Sequence, residues 1–158
     1  MKTCDLCDQF EERVRVLLLP LRDYGGRVGF SGTVSTIRAW EDNSKVRDAV
    51  NEPGQGRVLV IDGGGSLRRS MLGDQLAEKA VANGWAGVVV FGAIRDSEAI
   101  GKLALGVKAL ATCPRKTDKL GQGQRDVPLE IGGLTIRPGE WLCADEDGVI
   151  LADAPLTE

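Results

Sequence analysis

The stretch GDQLAEKAVANGWAGVVVFGAIRD, from Gly73 to Asp96, decides the predicted fold. Its first half predicts a helix over residues 74–83, with a buried side formed by Leu76, Ala80 and Val81. Its second half contains the apolar run AGVVVFG at 86–92, which predicts a strand buried on both faces. The stretch therefore reads as one helix followed by one central strand.

Two further apolar runs flank this unit. RVLVID at 57–62 predicts a preceding buried strand, and GVKALAT at 106–112 predicts a following one. A short helix is expected over residues 96–104, between the second and third strands. The order strand–helix–strand–helix–strand is typical of a parallel sheet.

The N-terminal third predicts three more elements. A helix is expected over residues 3–19, ended by Pro20, because apolar residues recur there at helical spacing: Cys7, Phe10, Val14, Leu17 and Leu18. RVGFSGTVSTIRA predicts one or two strands whose inward positions are Val28, Phe30, Val34 and Ile37. A short helix is expected over 43–51, where NEPGQG ends it.

The C-terminal third differs in composition from the rest of the chain. A polar loop, RKTDKLGQGQ, precedes short strands that Gly-Gly, Pro-Gly and Asp-Gly pairs punctuate, which indicates antiparallel β structure. The expected fold is a single α/β domain over residues 1–158, with a central sheet containing parallel strands and a C-terminal antiparallel β layer.

Composition excludes several classes of function. The net charge is −3, so the chain lacks the basic footprint of a protein that binds nucleic acid directly. Its apolar runs are too short to span a membrane, and its polar N-terminus resembles no secretory signal, so we expect a cytoplasmic protein. The absence of histidine excludes Ser-His-Asp and Cys-His catalysis.

The four cysteines give little support for a metal or redox site. Cys4 and Cys7 form a C-x-x-C, but a zinc site needs two more ligands, and Cys113 and Cys143 are isolated in sequence. The favoured interpretation places Cys4 and Cys7 in the first turn of a helix, with both thiols partly buried.

The glycine loop Asp62–Ser66 follows a buried strand and precedes a helix, as an anion or nucleotide cradle would. The dinucleotide fingerprint G-x-G-x-x-G fails at Arg68, and no Walker sequence is present. A tight turn that allows close backbone packing is the favoured interpretation, with a supporting role near a site and a nucleotide pocket as alternatives.

Asp74 and the Arg95-Asp96 pair are expected to face one crevice, because ligands bind beyond the carboxyl ends of parallel strands. The N–H groups of a helix beginning at Asp74, together with the Arg95 guanidinium, suit a carboxylate ligand. The Asp74 and Asp96 carboxylates suit Mg²⁺ or Mn²⁺. The alternative is that both aspartates cap helices and that Arg95 is a surface charge.

The spacing Asp74-x20-Arg95-Asp96 resembles the D-x20-R-D signature of the RraA-like family. That family includes class II 4-hydroxy-4-methyl-2-oxoglutarate aldolases and the regulator of ribonuclease E activity. Blocks along nearly the whole chain share the resemblance: VLVIDGGGSLRRSMLGDQLA, NGWAGVVVFGAIRD, GVKALATCPRKTDKLGQGQRDV and GEWLCADEDGVIL.

The resemblance implies a swivelling-type β/β/α fold and a homotrimer with its site near a subunit boundary. It also implies that a segment of four residues and Arg95 bind substrate: Gly73, Asp74, Gln75 and Leu76. Asp96 would coordinate the divalent cation, Mg²⁺ or Mn²⁺, and Asp74 would act through metal-bound water. Arg95 and Asp74 are thus the implied catalytic residues.

The implied chemistry is cleavage of a short 2-oxo acid through a pyruvate enolate, by aldol cleavage or by oxaloacetate decarboxylation. Longer aldolases of the family carry a C-terminal acidic residue into a neighbouring site, and this sequence ends at Glu158. We therefore expect weak aldol cleavage and clearer decarboxylation. Inhibition of ribonuclease E is the alternative function, and a methyltransferase suggested by DGGGS is the least supported.

Overall fold

The computed structural model describes residues 2–157. Its helices are α1 (Thr3–Gln9), α2 (Ser44–Val50), α3 (Asp74–Ala82) and α4 (Ser97–Ile100). Its strands are β1 (Arg15–Val16), β2 (Arg22–Asp23), β3 (Phe30–Arg38), β4 (Val58–Asp62), β5 (Gly87–Ile94), β6 (Gly106–Thr112), β7 (Gln124–Arg125), β8 (Leu129–Ile131), β9 (Leu134–Ile136), β10 (Trp141–Asp145) and β11 (Gly148–Ala152).

The main sheet is mixed, with the strand order β1-β11-β10-β3-β4-β5-β6-β2 and β7 beside β3. The pairs β3/β4, β4/β5 and β5/β6 are parallel. Strands β10, β11 and β1 extend the sheet in antiparallel fashion, and β8 and β9 form a separate hairpin. The predicted α/β class, with a parallel centre and a C-terminal antiparallel layer, is confirmed.

The parallel centre is buried on both faces because each face is covered by a different layer. Alternate residues of β4, such as Leu59 and Ile61, pack in one core cluster with apolar residues of α2, α3 and α4. Val58 and Val60 point to the other face and pack in a second cluster with residues of β8, β9, β10 and β11. This alternation explains why the strand reads as an uninterrupted apolar run.

The N-terminal helix is shorter than predicted. It ends at Gln9 instead of residue 19, and the chain turns back so that Arg15 and Val16 pair with β11. The apolar residues that recur at helical spacing pack in two different clusters. Cys7, Phe10 and Val14 pack near Trp141, whereas Leu17 packs in the second cluster. Leu18 is 77% exposed. Edge pairing with β11 therefore overrides the local helical pattern.

Smaller differences concern single side chains and one boundary. Phe30, Val34 and Ile37 are buried as predicted, but Val28 precedes β3 and is 36% exposed. The buried side of α3 is formed by Ala77 and Ala80, with Leu76 and Val81 only partly buried. Helix α4 covers Ser97–Ile100 rather than 96–104. Across the described range, no helix has the length and apolar character needed to cross a membrane.

Candidate active site at the end of β5

The predicted crevice forms where β5 ends. The segment before α3 runs beside the end of β5, because the Met71 N–H donates to the Ala93 carbonyl at 2.9 Å and the Arg95 N–H donates to the Leu72 carbonyl at 2.9 Å. This pairing places the first turn of α3 directly against Arg95 and Asp96. Twenty residues separate Asp74 from Arg95 in the sequence, and these backbone hydrogen bonds bring the two positions together.

Asp96 links the end of β5 directly to the start of α3. Its Oδ2 accepts a hydrogen bond from the Asp74 N–H at 3.0 Å. Although Asp96 occupies the N-cap position of α4, its side chain makes no capping bond to that helix. Its backbone is left-handed, with φ 54°, a conformation that is uncommon outside glycine and that clusters at functional sites. Neither aspartate therefore caps the helix that follows it, as the capping alternative expected, and Asp96 instead accepts a backbone N–H of the first turn of α3.

Gly73 makes this contact possible. It occupies the N-cap position of α3 with φ −117°, which any residue can adopt. A Cβ atom there would lie 2.9 Å from Asp96 Oδ2 and 3.3 Å from Arg95 Nε. A side chain at this position would therefore displace the Asp96 carboxylate and crowd Arg95, although the backbone conformation would accept it.

Two of the predicted substrate-binding N–H groups already have acceptors within the chain. The Asp74 N–H donates to Asp96, and the Gln75 N–H donates to Asp74 Oδ1 at 2.8 Å. A substrate carboxylate at this helix end would share or replace these acceptors. Arg95 lies beside them, with its Nε 3.9 Å from Asp96 Oδ2 and its side chain 39% exposed. A partly exposed guanidinium in that position can still bind an acid.

The crevice itself is a cavity of about 240 Å³ with a strongly cationic lining. Asp74 and Arg95 line it, as predicted, together with Gly73, Gln75 and Leu76, whereas Asp96, which was expected to face the same crevice, is outside the lining. Five further residues that sequence reasoning missed complete the wall: Asn43, Arg47, Ser70, Lys116 and Lys119. Four cationic side chains therefore face one carboxylate, Asp74. The cluster of cations in the loop RKTDKLGQGQ could have indicated the two lysines, but the local sequence does not show that this loop lies beside α2.

Asp96 is the residue predicted to hold a divalent cation. Across residues 2–157, no three His, Cys, Asp or Glu side chains gather in a way that could hold a metal ion. A cation at this position would take one carboxylate from the protein and its remaining ligands from water and substrate. Mg²⁺ is commonly bound in that manner, through one or two carboxylates, so the residues present fit such an ion.

The glycine loop is a tight turn, which was the favoured interpretation. The N–H groups of Gly63 and Gly65 donate to the Phe91 carbonyl, and the Gly64 N–H donates to Asp62 Oδ1 at 2.8 Å. A Cβ on Gly64 would lie 2.5 Å from the Trp40 ring. These bonds and the close approach of the Trp40 ring hold the loop as a tight turn against the end of β5.

The C-x-x-C pair is part of α1 and carries no metal-ligand cluster within the described residues. Cys7 is half-buried, but Cys4 is exposed rather than partly buried, and its Sγ donates to Asp147 Oδ2 at 3.4 Å. This hydrogen bond raises the pKa of Cys4, and burial raises the pKa of Cys7. Thiols with raised pKa values are poor nucleophiles and poor metal ligands.

Comparison with known proteins agrees with the signature. The family model described as "RraA-like: Aldolase/RraA" matches residues 3–151. This chain belongs to the RraA-like family. A relative from Laribacter hongkongensis, named "Putative 4-hydroxy-4-methyl-2-oxoglutarate aldolase", is 54% identical over 154 residues, which is 98% of this chain and 97% of the relative.

Two solved structures are closely similar to this chain. One, described as an S-adenosylmethionine:2-dimethylmenaquinone methyltransferase from Geobacillus kaustophilus HTA426, has a TM-score of 0.97 and 49% identity, covering 99% of this chain and 97% of that one. The other, the RNA-processing inhibitor RraA from Thermus thermophilis, has a TM-score of 0.96 and 46% identity, covering 99% and 95%. Proteins with this fold are thus described with three different activities, and the residues of the site have to be used to choose between them.

Proposed function

We propose that this RraA-like chain is a divalent-metal-dependent carbon–carbon lyase acting on short 2-oxo acids, both as a 4-hydroxy-4-methyl-2-oxoglutarate aldolase and as an oxaloacetate decarboxylase. The convergence of Arg95 and the first turn of α3 on one cationic crevice, with Asp96 hydrogen-bonded to that turn at the border of the crevice, supports this proposal. A docking protein needs no such arrangement. A methyltransferase has weaker support, because VVVFG lacks the acidic strand end that would hold a ribose.

The residues of the crevice take distinct parts in the proposed reaction. Arg95 and the first turn of α3, from Gly73 to Leu76, bind the 1-carboxylate and orient the bond to be broken. As that bond breaks, negative charge develops on the 2-oxo oxygen, and the Arg95 guanidinium stabilises it. Asp96 would hold Mg²⁺ or Mn²⁺ directly and Asp74 would hold it through water, and the bound cation supplies Lewis acidity.

The test is release of pyruvate from oxaloacetate in the presence of Mg²⁺, measured before and after EDTA. Arg95→Ala and Asp96→Ala should each lower kcat/KM by about a hundredfold or more, because each removes charge at the reacting atoms. Arg137→Ala and Asp8→Ala change exposed charges outside the crevice lining and should leave turnover unchanged. Turnover that survives EDTA and both site substitutions would exclude this site.

A second function, inhibition of ribonuclease E, is favoured by the similarity to the solved RNA-processing inhibitor. The net charge of −3 would permit docking to a basic segment of the nuclease. Pull-down with the nuclease and an RNA-cleavage assay would test it. Arg95→Ala should abolish lyase turnover and leave any inhibition intact, since docking does not require the crevice.

We also propose that the protein is a homotrimer with the crevice near a subunit boundary. Three exposed apolar side chains support association: Trp40 (58%), Leu67 (52%) and Leu120 (67%). Leu120 immediately follows Lys119 of the crevice lining. Light scattering should give three times the chain mass of 16.9 kDa, and a monomer would exclude the trimer.

A further inference from the structure

The crevice carries more positive charge than one carboxylate requires. Arg47, on α2, and Lys116 and Lys119, on the loop after β6, line the same cavity as Arg95. None of these three has an ion-pair partner among residues 2–157, whereas Arg15, Arg57, Arg68, Lys108 and Arg125 all do. Unneutralised cations that converge on one cavity favour a ligand with more than one negative group.

The loop that supplies the two lysines is held by buried polar contacts. Asp42 is 2% exposed, and its Oδ2 accepts from the N–H groups of Leu120 and Gln122 at 2.9 and 3.1 Å. Its Oδ1 accepts from the N–H and hydroxyl of Ser44, at the start of α2. Asp42 therefore ties the lysine loop to the helix that carries Arg47.

A second pair of contacts fixes the same junction. The Thr117 hydroxyl donates to Asn43 Oδ1 at 2.8 Å, and the Asn43 N–H donates to the Thr117 oxygen at 3.1 Å. Both residues are buried. The loop and α2 are thus pre-organised, which lowers the entropic cost of ordering the three cations around a ligand.

From this arrangement we infer that Arg47, Lys116 and Lys119 form a subsite for the distal carboxylate of a 2-oxo dicarboxylate, with Arg47 as its specificity-determining residue. This inference rests on the proposed lyase function, because that proposal assigns the 1-carboxylate of the substrate to Arg95. Arg47 is assigned the leading part because its planar guanidinium can grip a carboxylate with two hydrogen bonds, whereas each lysine acts as a point charge.

The subsite has different consequences for the two proposed reactions. In aldol cleavage, the C3–C4 bond breaks and its electron pair moves to C3 and the 2-oxo oxygen as an enolate, while C4 becomes a carbonyl as the 4-hydroxyl proton passes to water. A proton from water then returns to C3 and gives the first pyruvate. The second pyruvate then leaves with its carboxylate intact, so the subsite binds that charge throughout. In oxaloacetate, the C4 carboxylate leaves as neutral CO₂, and binding of that charge is lost in the transition state.

A matched pair of ligands tests the subsite without turnover. 2-Oxoglutarate and 2-oxopentanoate have the same chain length and differ in the distal carboxylate, and neither carries a 4-hydroxyl group that could be cleaved. By calorimetry with Mg²⁺, the wild-type protein should bind 2-oxoglutarate on the order of tenfold more tightly, the gain expected of a charge-assisted hydrogen bond. Arg47→Gln should remove that preference and leave 2-oxopentanoate binding unchanged.

Arg137→Gln, a matched change of an exposed arginine outside the crevice lining, should retain the preference. Equal affinity of the wild-type protein for both ligands would overturn the subsite, as would equal weakening of both by Arg47→Gln. A preference present without any turnover would support the subsite and remove the lyase proposal. Turnover present without a preference would remove the subsite alone.

Kinetics provide the second readout. Arg47→Gln should lower kcat/KM for 4-hydroxy-4-methyl-2-oxoglutarate by about tenfold. For oxaloacetate it should raise KM without lowering kcat, because the lost interaction stabilises only the ground state. A fall in kcat for oxaloacetate would contradict the assignment of Arg47 to the distal end.

Discussion

Two neighbouring parallel strands each have an aspartate at or just after their carboxyl end, and the two aspartates differ in use. Asp62, the last residue of β4, accepts a hydrogen bond from the Gly64 N–H at 2.8 Å, whereas Asp96, after β5, accepts one from the Asp74 N–H at 3.0 Å. Both loops contain residues with positive φ. The first bond spans two residues and the second spans twenty-two, so one closes a local turn and the other joins two distant segments.

The difference lies in what remains available to a ligand. The first loop lies against Trp40, and its amides donate to Asp62 and to the Phe91 carbonyl of β5. The second borders a cavity of about 240 Å³ whose lining includes Arg95 and three further cations. The glycine-rich loop, which resembles a binding motif, is structural, and the aspartate that resembles a helix cap lies at the candidate site.

The strongest way to break this comparison is to make the same substitution in both loops. Asn keeps an oxygen that accepts the backbone N–H and tolerates left-handed φ, but it removes the negative charge. Asp96→Asn should therefore lower kcat/KM for oxaloacetate by about a hundredfold or more, while the free energy of unfolding changes by less than about 1 kcal/mol. Asp62→Asn should change neither appreciably. Equal loss of activity in both variants would contradict the distinction.

Alanine at the two key glycines gives a second, smaller contrast. A Cβ at position 73 meets Asp96 and Arg95, so Gly73→Ala should displace both and lower kcat/KM by about tenfold to a hundredfold. Gly64 has φ +68° and lies against the Trp40 ring, so Gly64→Ala should lower the free energy of unfolding by about 2 kcal/mol and spare turnover of the folded protein. Urea unfolding and steady-state kinetics measure the two effects, and a reversal of the pattern would oppose the assignment.

The smallest expected effect concerns acid stability near the glycine loop. Hydrogen bonds from Arg68 and Ser66 lower the pKa of Glu41 from 4.5 to about 2. A lowered pKa means that this carboxylate stabilises the fold fully above about pH 4.5 and that the contribution is lost as pH falls towards 2. Glu41→Gln should thus be less stable than the wild-type protein at pH 6, with the difference shrinking as the pH is lowered.

Unfolding midpoints measured between pH 6 and pH 2.5 would check this behaviour. A difference that is constant with pH would show that the Glu41 charge does not contribute. Turnover at pH 6 to 7 should be unaffected, because Glu41 contacts the glycine loop and does not line the crevice.

Part of the site could be predicted because it depends on local pattern and chain direction. Apolar runs at β4, β5 and β6, separated by helices, require parallel strands, and parallel strands bring their carboxyl ends to one edge. The placement of Arg95 and Asp96 beside the first turn of α3 follows from that rule. The roles of these residues in substrate and metal binding remain predictions.

The rest could not be predicted because it depends on long-range pairing. Residues 15–16 leave the predicted helix because β11, more than 130 residues later, offers an unpaired edge. Arg47, Lys116 and Lys119 meet at the crevice because Asp42 binds the Leu120 and Gln122 amides, a contact that no local spacing encodes.

The amino-acid sequence by itself determined the parallel centre and the position of Arg95 beside one carboxylate, since periodicity and strand order suffice for these, and it carried the family signature in the spacing of three residues. Only the tertiary structure decided that the glycine loop is closed, that α1 is short and that four cations share one wall. Each of those outcomes depends on hydrogen bonds between segments far apart in the chain, and their partners are chosen by the packed fold.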